Sequence, residues 1–228
     1  MRLAIFDLDH TLLDGDSDVL WCQFLMDEGV VDRSSFEPRN QAMERDYRAG
    51  VVSAQAFCEF YVGTLAGRSA ADWQPLRERF WLQWVQPRLC PGTAALLARH
   101  RAQGDRLVMS TATNRTITEL TAQGLGIADL LATEVDWGDG ICTGRTQGVL
   151  NMREGKVARL HTWLAEQGLD EAARAQALAD AWFYSDSAND LPLLGAVGHP
   201  VVVHPDAPDV RLQAHAQALG WPQISLRN

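Results

Sequence analysis

The sequence predicts an α/β fold in which a doubly wound parallel sheet carries an inserted helical cap. Short apolar runs alternate with helical patterns, as in parallel sheets whose two faces are covered by helices. The exception is the stretch from Asp16 to about Trp84, which is helical in pattern and offers no strand candidate. These observations predict a core domain formed by residues 1–14 plus 86–228 and a helical cap domain formed by residues 15–85.

Four short apolar runs are the predicted strands, and each is short enough to be a strand buried on both faces. They comprise residues 3–6, 106–110, 181–184 and 200–203. A glycine-containing segment with β-forming residues, 132–150, predicts a hairpin-like excursion. After the helical pattern that begins at Asp16, further predicted helices comprise residues 53–65, 70–84, 93–103, 114–123, 155–167 and 207–219.

Tryptophan is frequent in the predicted cap. Four of the eight tryptophans fall there, namely Trp21, Trp73, Trp81 and Trp84. Large aromatic side chains contribute most to a core by burial, so packing within a helical bundle is favoured over stacking on a ligand.

The chain has 228 residues, a formal net charge of −9 and no run of Lys or Arg. An acidic protein repels nucleic acid and anionic membranes, which argues against both as partners. The four cysteines are far apart and lack metal-ligand spacing, which indicates reduced thiols. The first apolar run is too short for a signal peptide, and no stretch has the length of a membrane span. We therefore expect a cytoplasmic protein.

Reactive side chains recur just beyond the predicted strands. Asp7 and Asp9 follow the first strand, Thr111 follows the second, and Asp186 follows the third; Lys156 opens a helix. Ligands of open α/β sheets bind beyond the carboxyl ends of the strands, so these groups are candidates for one site. Carboxylates accept phosphoryl groups, and Mg²⁺ with oxygen ligands offsets their repulsion of phosphate.

Each of these residues by itself also has a structural explanation. A threonine after a strand often caps a helix, and acidic residues often occupy a helix cap or first turn. A lysine in a first helical turn is usually solvated, although it opposes the helix dipole there. The combination, in this order along the chain, favours a catalytic site.

The four segments resemble the four sequence motifs of the haloacid dehalogenase superfamily. The string D-L-D-H-T at residues 7–11 is similar to the first motif, and the apolar run ending at Thr111 is similar to the second. Gly155-Lys156 is similar to the third motif, and S-D-S-A-N-D at 185–190 to the fourth. The motifs span residues 5–194, nearly the whole chain.

The resemblance implies a role for each acidic residue and for the lysine. Asp7 would be the nucleophile and a Mg²⁺ ligand. Asp9 would act as general acid and base, and its backbone carbonyl would face the metal. Asp186 would be the main metal carboxylate, and Asp190 would support it or Lys156. Lys156 would neutralise Asp7 and the phosphate.

The remaining implied contacts are with phosphate or substrate. Thr111 and the amide of Ala112 would bind phosphate oxygens, with Ser110 as the alternative to Thr111 in the second motif. Asn189 is expected to contact the substrate. Asp9 distinguishes between branches of the superfamily, because the dehalogenases of the same fold lack this second aspartate. The presence of Asp9 therefore favours phosphoryl transfer.

The cap resembles that of subfamily IB, which includes enzymes like phosphoserine phosphatase and histidinol-phosphatase. In phosphoserine phosphatases, an acidic residue seven positions after the second aspartate of the first motif contacts the substrate amine. Asp16 occupies that position in this chain, and it could equally be a helix N-cap. An alignment through Arg48-Ala49-Gly50 places Glu59 where those enzymes carry an arginine for the substrate carboxylate. This favours an amine-bearing phosphate such as histidinol phosphate. His10 is a further candidate contact.

The function predicted is thus a Mg²⁺-dependent phosphatase that hydrolyses a small phosphorylated metabolite through an aspartyl-phosphate. A phosphotransferase or phosphomutase on the same fold is an alternative, as is a phosphoserine phosphatase. A non-enzymatic binding module is a third hypothesis, which the presence of every motif residue disfavours.

Overall fold

The computed structural model describes residues 1–48, 51–204 and 209–227, and within them seven strands form one sheet. The strands are β1 (Leu3–Phe6), β2 (Arg106–Asn114), β3 (Asp129–Gly138), β4 (Ile141–Gln147), β5 (Trp182–Ser185), β6 (His199–Val203) and β7 (Gln223–Ile224). Their order across the sheet is β4-β3-β2-β1-β5-β6-β7. Only β4 runs antiparallel to its neighbour, so the predicted parallel α/β fold is confirmed.

Helices cover the sheet and fill the predicted cap. They are α1 (Ser17–Asp27), α2 (Arg33–Arg48), α3 (Ala54–Val62), α4 (Ala70–Phe80), α5 (Thr93–Ala102), α6 (Arg115–Gly124), α7 (Glu154–Glu166), α8 (Glu171–Ala179), α9 (Leu191–Leu194) and α10 (Val210–Leu219). A π-helical turn, Trp81–Val85, extends α4. The sequence did not predict α8 or β7, and the first residues of the predicted helix 207–219 lie outside the described part.

Side-chain caps fix where three cap helices begin. Asp16, Ser53 and Ser69 precede α1, α3 and α4, and each accepts a hydrogen bond from a backbone N–H of the first turn. Such caps satisfy N–H groups that have no partner within the helix.

The strand register brings three segments of the chain to one sheet edge. Phe6, the last residue of β1, pairs with Met109 of β2 and with Tyr184 of β5. Asp7 therefore follows β1 at the carboxyl edge of the sheet, between β2, which continues to Asn114, and β5, which continues to Ser185. This is how residues far apart in sequence reach one place.

The tryptophans of the helical segment join it to the sheet. Trp21 and Trp73 are 0% and 1% exposed, and they belong to a hydrophobic cluster that also contains Phe6 and Met109. Trp81 and Trp84 pack partly buried against the same cluster. The prediction that these residues pack a core is confirmed, and that core is continuous with one face of the sheet.

The other face of the sheet has its own hydrophobic cluster, which includes Leu3, Ile5, Val108 and Phe183. No helix in the described ranges is long and apolar enough to cross a membrane.

Candidate active site

The centre of the site is a buried lysine held between two carboxylates. The Nζ of Lys156 donates to Oδ1 of Asp7 at 2.9 Å and to Oδ2 of Asp190 at 2.7 Å. All three residues are buried, and Lys156 is the only lysine in the chain. Ser185 Oγ also donates to Asp190 Oδ2, at 2.7 Å. The predicted motifs one, three and four therefore meet in the folded protein.

The loop before α7 positions this lysine. Gly155 lies against the carbonyl of Leu150, and a Cβ at this position would come within 2.0 Å of that oxygen. Any other residue would displace backbone, which explains the glycine next to Lys156. Arg153, at the N-cap of α7, has a φ of 53°, a conformation that costs energy in a residue with a side chain.

Asp9 is oriented by groups from two other elements. Its Oδ1 accepts from Ser17 N at 2.7 Å, at the start of α1. Its Oδ2 accepts from Thr113 Oγ1 at 3.0 Å and lies 3.4 Å from Thr111 Oγ1. A carboxylate so held has a fixed direction, as an acid–base group needs.

The cluster carries more negative than positive charge. Burial and the nearby acidic groups raise the pKa of Asp7 despite the opposing charge of Lys156. Burial, with a further contribution from Asp190, raises the pKa of Asp186 to about 7, although Thr11 Oγ1 donates to it at 3.0 Å. Burial alone would lower the pKa of Lys156, but the charges of Asp190 and Asp7 raise it. The site therefore favours a further cation.

The residues predicted to hold Mg²⁺ carry oxygen donors of the kind that this ion binds. Within residues 1–48, 51–204 and 209–227, no three His, Cys, Asp or Glu side chains are grouped so as to hold a metal ion by themselves. The predicted set needs two side chains, Asp7 and Asp186, with the backbone carbonyl of Asp9. Carboxylate and carbonyl oxygens at a shared cavity are the donors that a hard cation prefers, so the residues present fit the ion.

A cavity of about 250 Å³ opens over the cluster. Among the described residues its walls are Asp7, Asp9, His10, Asp16, Asp18, Glu44, Tyr47, Phe57, Ala112, Thr113, Met152, Lys156, Asp186, Ser187, Asn189 and Asp190. Seven of these are Asp or Glu and one is Lys. Nearly every predicted site residue therefore lies at one cavity.

Thr111 is the predicted site residue that does not line the cavity. Its side chain is fully buried, it is not one of the cavity walls, and its Oγ1 accepts from Thr113 N at 3.2 Å. The cavity is instead lined by Ala112 and Thr113. Sequence reasoning missed Thr113, although it belongs to the same T-A-T string as the predicted Thr111. The phosphate contact of Thr111 stays a prediction.

Ser110, the alternative to Thr111, is buried away from the cavity. Its Oγ accepts from Asn151 Nδ2 at 3.1 Å, and the same Nδ2 donates to the carbonyls of Thr111 and Leu131 at 3.0 and 2.9 Å. Asn151, in the loop before α7, therefore connects that loop by hydrogen bonds to the end of β2 and to β3. Nothing in the sequence pattern had indicated Asn151.

The cap contributes a different acidic residue from the one the alignment suggested. Glu59 is not a cavity wall, and Gln55 Nε2 donates to it at 2.8 Å. Glu44 of α2 lines the cavity instead. The alignment that led to Glu59 passes through Ala49 and Gly50, which lie outside the described residues.

Asp16 is the N-cap of α1 and also lines the cavity, and its contact with a substrate amine stays a prediction. Its Oδ1 accepts from Val19 N at 3.0 Å, which caps α1, and its side chain also lines the cavity. Burial and the charge of Asp9 raise its pKa to about 6. His10 also lines the cavity, with a φ of 57°.

Residues 4–195 match the family of haloacid dehalogenase-like hydrolases. The chain belongs to this family. The predicted recognition is confirmed, and so is the predicted enzyme class: this hydrolase is a phosphatase.

Two relatives and one solved structure resemble this hydrolase over nearly all of its length. It is 37% identical over 227 residues to the histidinol-phosphatase of Neisseria meningitidis serogroup C, with 99% of each chain covered. It is 30% identical to phosphoserine phosphatase SerB1 of Mycobacterium tuberculosis, over 96% of this chain and 68% of the relative. The crystal structure of a protein with unknown function from Bordetella pertussis Tohama I superposes with a TM-score of 0.90 at 39% identity, covering 99% and 98% of the two chains.

Proposed function

We propose that this enzyme is a Mg²⁺-dependent phosphatase that hydrolyses a small, amine-bearing phosphate monoester, such as histidinol phosphate, through an aspartyl-phosphate. The observation that carries the proposal is the buried Lys156 ammonium between Asp7 and Asp190, at 2.9 and 2.7 Å. The arrangement places the Asp7 carboxyl beside a fixed positive charge, at the wall of a cavity of metabolite size.

In this mechanism Asp7 attacks phosphorus and the ester oxygen leaves. Asp9, held by Ser17 N and Thr113 Oγ1, gives its proton to that oxygen. Asp9 then takes a proton from the water that attacks the aspartyl-phosphate, which releases inorganic phosphate and restores Asp7. Lys156 stabilises the charge on the transferring group.

Magnesium, when bound, would neutralise phosphate charge so that a carboxylate can approach it. Asp7, Asp186 and the carbonyl of Asp9 would hold it. Asn189 and Ala112 line the same cavity, and the Asn189 side chain and the Ala112 amide are the proposed contacts for substrate oxygens.

The charge of the cavity supports an amine-bearing substrate. Asp16 and Glu44 line the cavity on the side of the cap, together with the aromatic rings of Tyr47 and Phe57, which stack at 4.1 Å. A neutral or anionic leaving group would gain little there, because like charges repel in a partly desolvated site. The name of the Neisseria relative is consistent with this substrate class.

A phosphoserine phosphatase is the second candidate, since one relative carries that name. Its substrate also has a carboxylate, which needs a cation. Lys156 is the one Lys or Arg among the cavity walls that the structure describes, and it is engaged by Asp7 and Asp190. This favours the amino alcohol phosphate.

We also propose that residues 15–85 act as a cap domain over residues 1–14 and 86–228, since Glu44, Tyr47 and Phe57 reach the cavity from that segment. Cys22, Cys58 and Cys142 are buried free thiols, as expected in a reducing compartment, and we propose a cytoplasmic location.

The test is phosphate release by the purified protein from histidinol phosphate, phosphoserine and phosphoethanolamine, with MgCl₂ or with EDTA. We expect Mg²⁺-dependent release, fastest with histidinol phosphate, and a fall by orders of magnitude in Asp7→Asn. Asp27→Asn, an exposed aspartate on α1, is the matched control. Transfer of phosphate to an added alcohol in place of release would show a phosphotransferase. Turnover by Asp7→Asn at the rate of the unmodified enzyme would refute the mechanism.

A further inference from the structure

Three side chains form an apolar surface at the cavity. They are Tyr47 of α2, Phe57 of α3 and Met152 of the loop before α7, and all three line the cavity. The rings of Tyr47 and Phe57 stack with their centroids 4.1 Å apart, and Tyr47 Oη donates to Met152 Sδ at 3.1 Å. The three side chains therefore make one continuous surface, the apolar wall, which joins the cap segment to the core.

The rest of the cavity has a different character. Apart from Ala112, the other cavity walls in the described ranges are polar or charged. Asp7, the proposed acceptor of the phosphoryl group, belongs to the core, and Lys156 lies 2.9 Å from it. Tyr47 and Phe57 belong to the predicted cap. When the phosphate lies at Asp7, the leaving alcohol is therefore the part of the substrate that can reach the apolar wall.

Packing of the cap does not by itself explain these two rings. The cap segment has its own buried cluster, which includes Cys22, Phe36 and Tyr61. Phe57 packs against this cluster, but Phe57 and Tyr47 are only partly buried and both line the cavity. Part of each ring is therefore open to a ligand. Removing apolar surface from water is favourable, so a ligand that covers the rings is bound more tightly.

The core holds the ring of Tyr47 in place. Its Oη accepts a hydrogen bond from Arg153 Nη2 at 3.3 Å, and the Arg153 guanidinium lies 5.7 Å from the ring centroid. With Phe57 stacked on it and Met152 at its hydroxyl, this ring has little freedom left to lose when a ligand binds. Such preorganisation lowers the entropic cost of binding.

We propose that Tyr47 and Phe57 are specificity-determining residues that select a leaving alcohol bearing a planar aromatic ring. This inference rests on the proposed phosphatase function and narrows its substrate class. Aromatic rings attract one another beyond the effect of burial alone, which an aliphatic chain of the same size does not reproduce. A ring with N–H groups at its edge, such as imidazole, also finds hydrogen-bond acceptors in the acidic walls of the cavity.

The experiment compares kcat/KM for histidinol phosphate with kcat/KM for phosphoethanolamine. Both esters carry an amine, but only histidinol phosphate carries a ring. Tyr47→Leu and Phe57→Leu keep an apolar side chain without a ring. In each variant the ratio of the two kcat/KM values should fall about 2- to 12-fold, as expected for the loss of one aromatic pair.

Two further variants separate ring recognition from other roles. Phe60→Leu is the matched control, because Phe60 lies on the same helix as Phe57, stacks on Phe36 and is not a cavity wall; it should leave the ratio unchanged. Tyr47→Phe keeps the ring and removes the hydroxyl that contacts Met152, so it should also keep the ratio of the unmodified enzyme.

Two inhibitors test the apolar wall in the unmodified enzyme. The compounds 4-phenylbutylphosphonate and 4-cyclohexylbutylphosphonate have the same length and the same phosphonate group, and only the phenyl ring is planar. The phenyl compound should inhibit the hydrolysis of p-nitrophenyl phosphate with the lower Ki. Tyr47→Leu should bring the two Ki values together.

The inference is overturned if both leucine variants keep the ratio of the unmodified enzyme, if Phe60→Leu or Tyr47→Phe lowers the ratio as much as they do, or if the two phosphonates inhibit the unmodified enzyme equally. If the unmodified enzyme hydrolyses phosphoethanolamine but not histidinol phosphate, the inference fails and the phosphatase stands. If it releases phosphate from neither ester nor from p-nitrophenyl phosphate, the proposed function fails.

Discussion

Replacing Lys156 with Met tests whether the ion cluster is both the catalytic centre and a stabilising element. The substitution leaves Asp7 and Asp190 buried without the ammonium that now lies 2.9 and 2.7 Å away. Removing one partner of a buried ion pair costs about 3–5 kcal/mol. For a chain of this size the melting temperature falls about 2–4 °C per kcal/mol, so the expected loss is about 6–20 °C.

The loss should depend on pH in a defined direction. Without Lys156, the pKa of Asp7 in the folded protein rises further above its unfolded value. As the pH rises above the pKa that Asp7 has in the unfolded chain, Asp7 ionises freely in the unfolded chain but not in the folded protein. Folding stability therefore falls over that range. The deficit of Lys156→Met should be small near about pH 4.5 and largest near about pH 8.

The assay is urea unfolding of both proteins in EDTA across that pH range, with phosphatase activity measured on the same samples. Arg33→Met is the matched control, because Arg33 is half exposed and pairs with Asp27 at the surface; it should cost less than about 1 kcal/mol. The electrostatic reasoning would be refuted if Lys156→Met lost less unfolding free energy than the control variant, or if its loss did not depend on pH.

Three further predictions concern the same site. The pKa of Asp186 is raised to about 7 in the metal-free protein, so Mg²⁺ competes with protons for this carboxylate. MgCl₂ should therefore raise the melting temperature more at about pH 8 than at about pH 5.5. Asp186→Asn should lack this difference. Gly155→Ala should destabilise by about 1–3 kcal/mol in thermal unfolding, since its Cβ would meet Leu150 O at 2.0 Å, whereas Gly63→Ala meets nothing within 4 Å. Protein labelled with ¹³C at the lysine ε-carbon should give one NMR signal that does not titrate below the ordinary pKa of 10.5, because the pKa of Lys156 is raised.

Four of the seven described strands and the candidate catalytic motifs could be predicted from local sequence. A strand buried on both faces is a continuous apolar run, and residues 3–6 and 106–110 have that pattern. Parallel strands end at one edge, so a polar residue after each run predicts a shared site even without coordinates. Asp7 and Lys156 lie 149 positions apart and form a hydrogen bond.

The substrate side of the cavity could not be predicted in the same way. Glu44 and Phe57 reach it from α2 and α3, and their positions depend on how the cap helices pack on the sheet through Trp21 and Trp73. The alignment that selected Glu59 ran through Arg48-Ala49-Gly50, and an alignment does not fix which face of a helix turns inward. Thr113, rather than Thr111, lines the cavity because the chain after Ser110 leaves the regular register of β2.

The sequence by itself determined the fold class and the family, and it predicted candidate residues that meet at one cavity, because hydrophobic periodicity and strand-end motifs are local properties of the chain. Only the tertiary structure decided which carboxylates are buried and which hydroxyl faces the cavity. Burial and hydrogen bonding are set by groups distant in sequence. An acidic residue such as Asp18 therefore has the same appearance in the sequence whether it is solvated or enclosed.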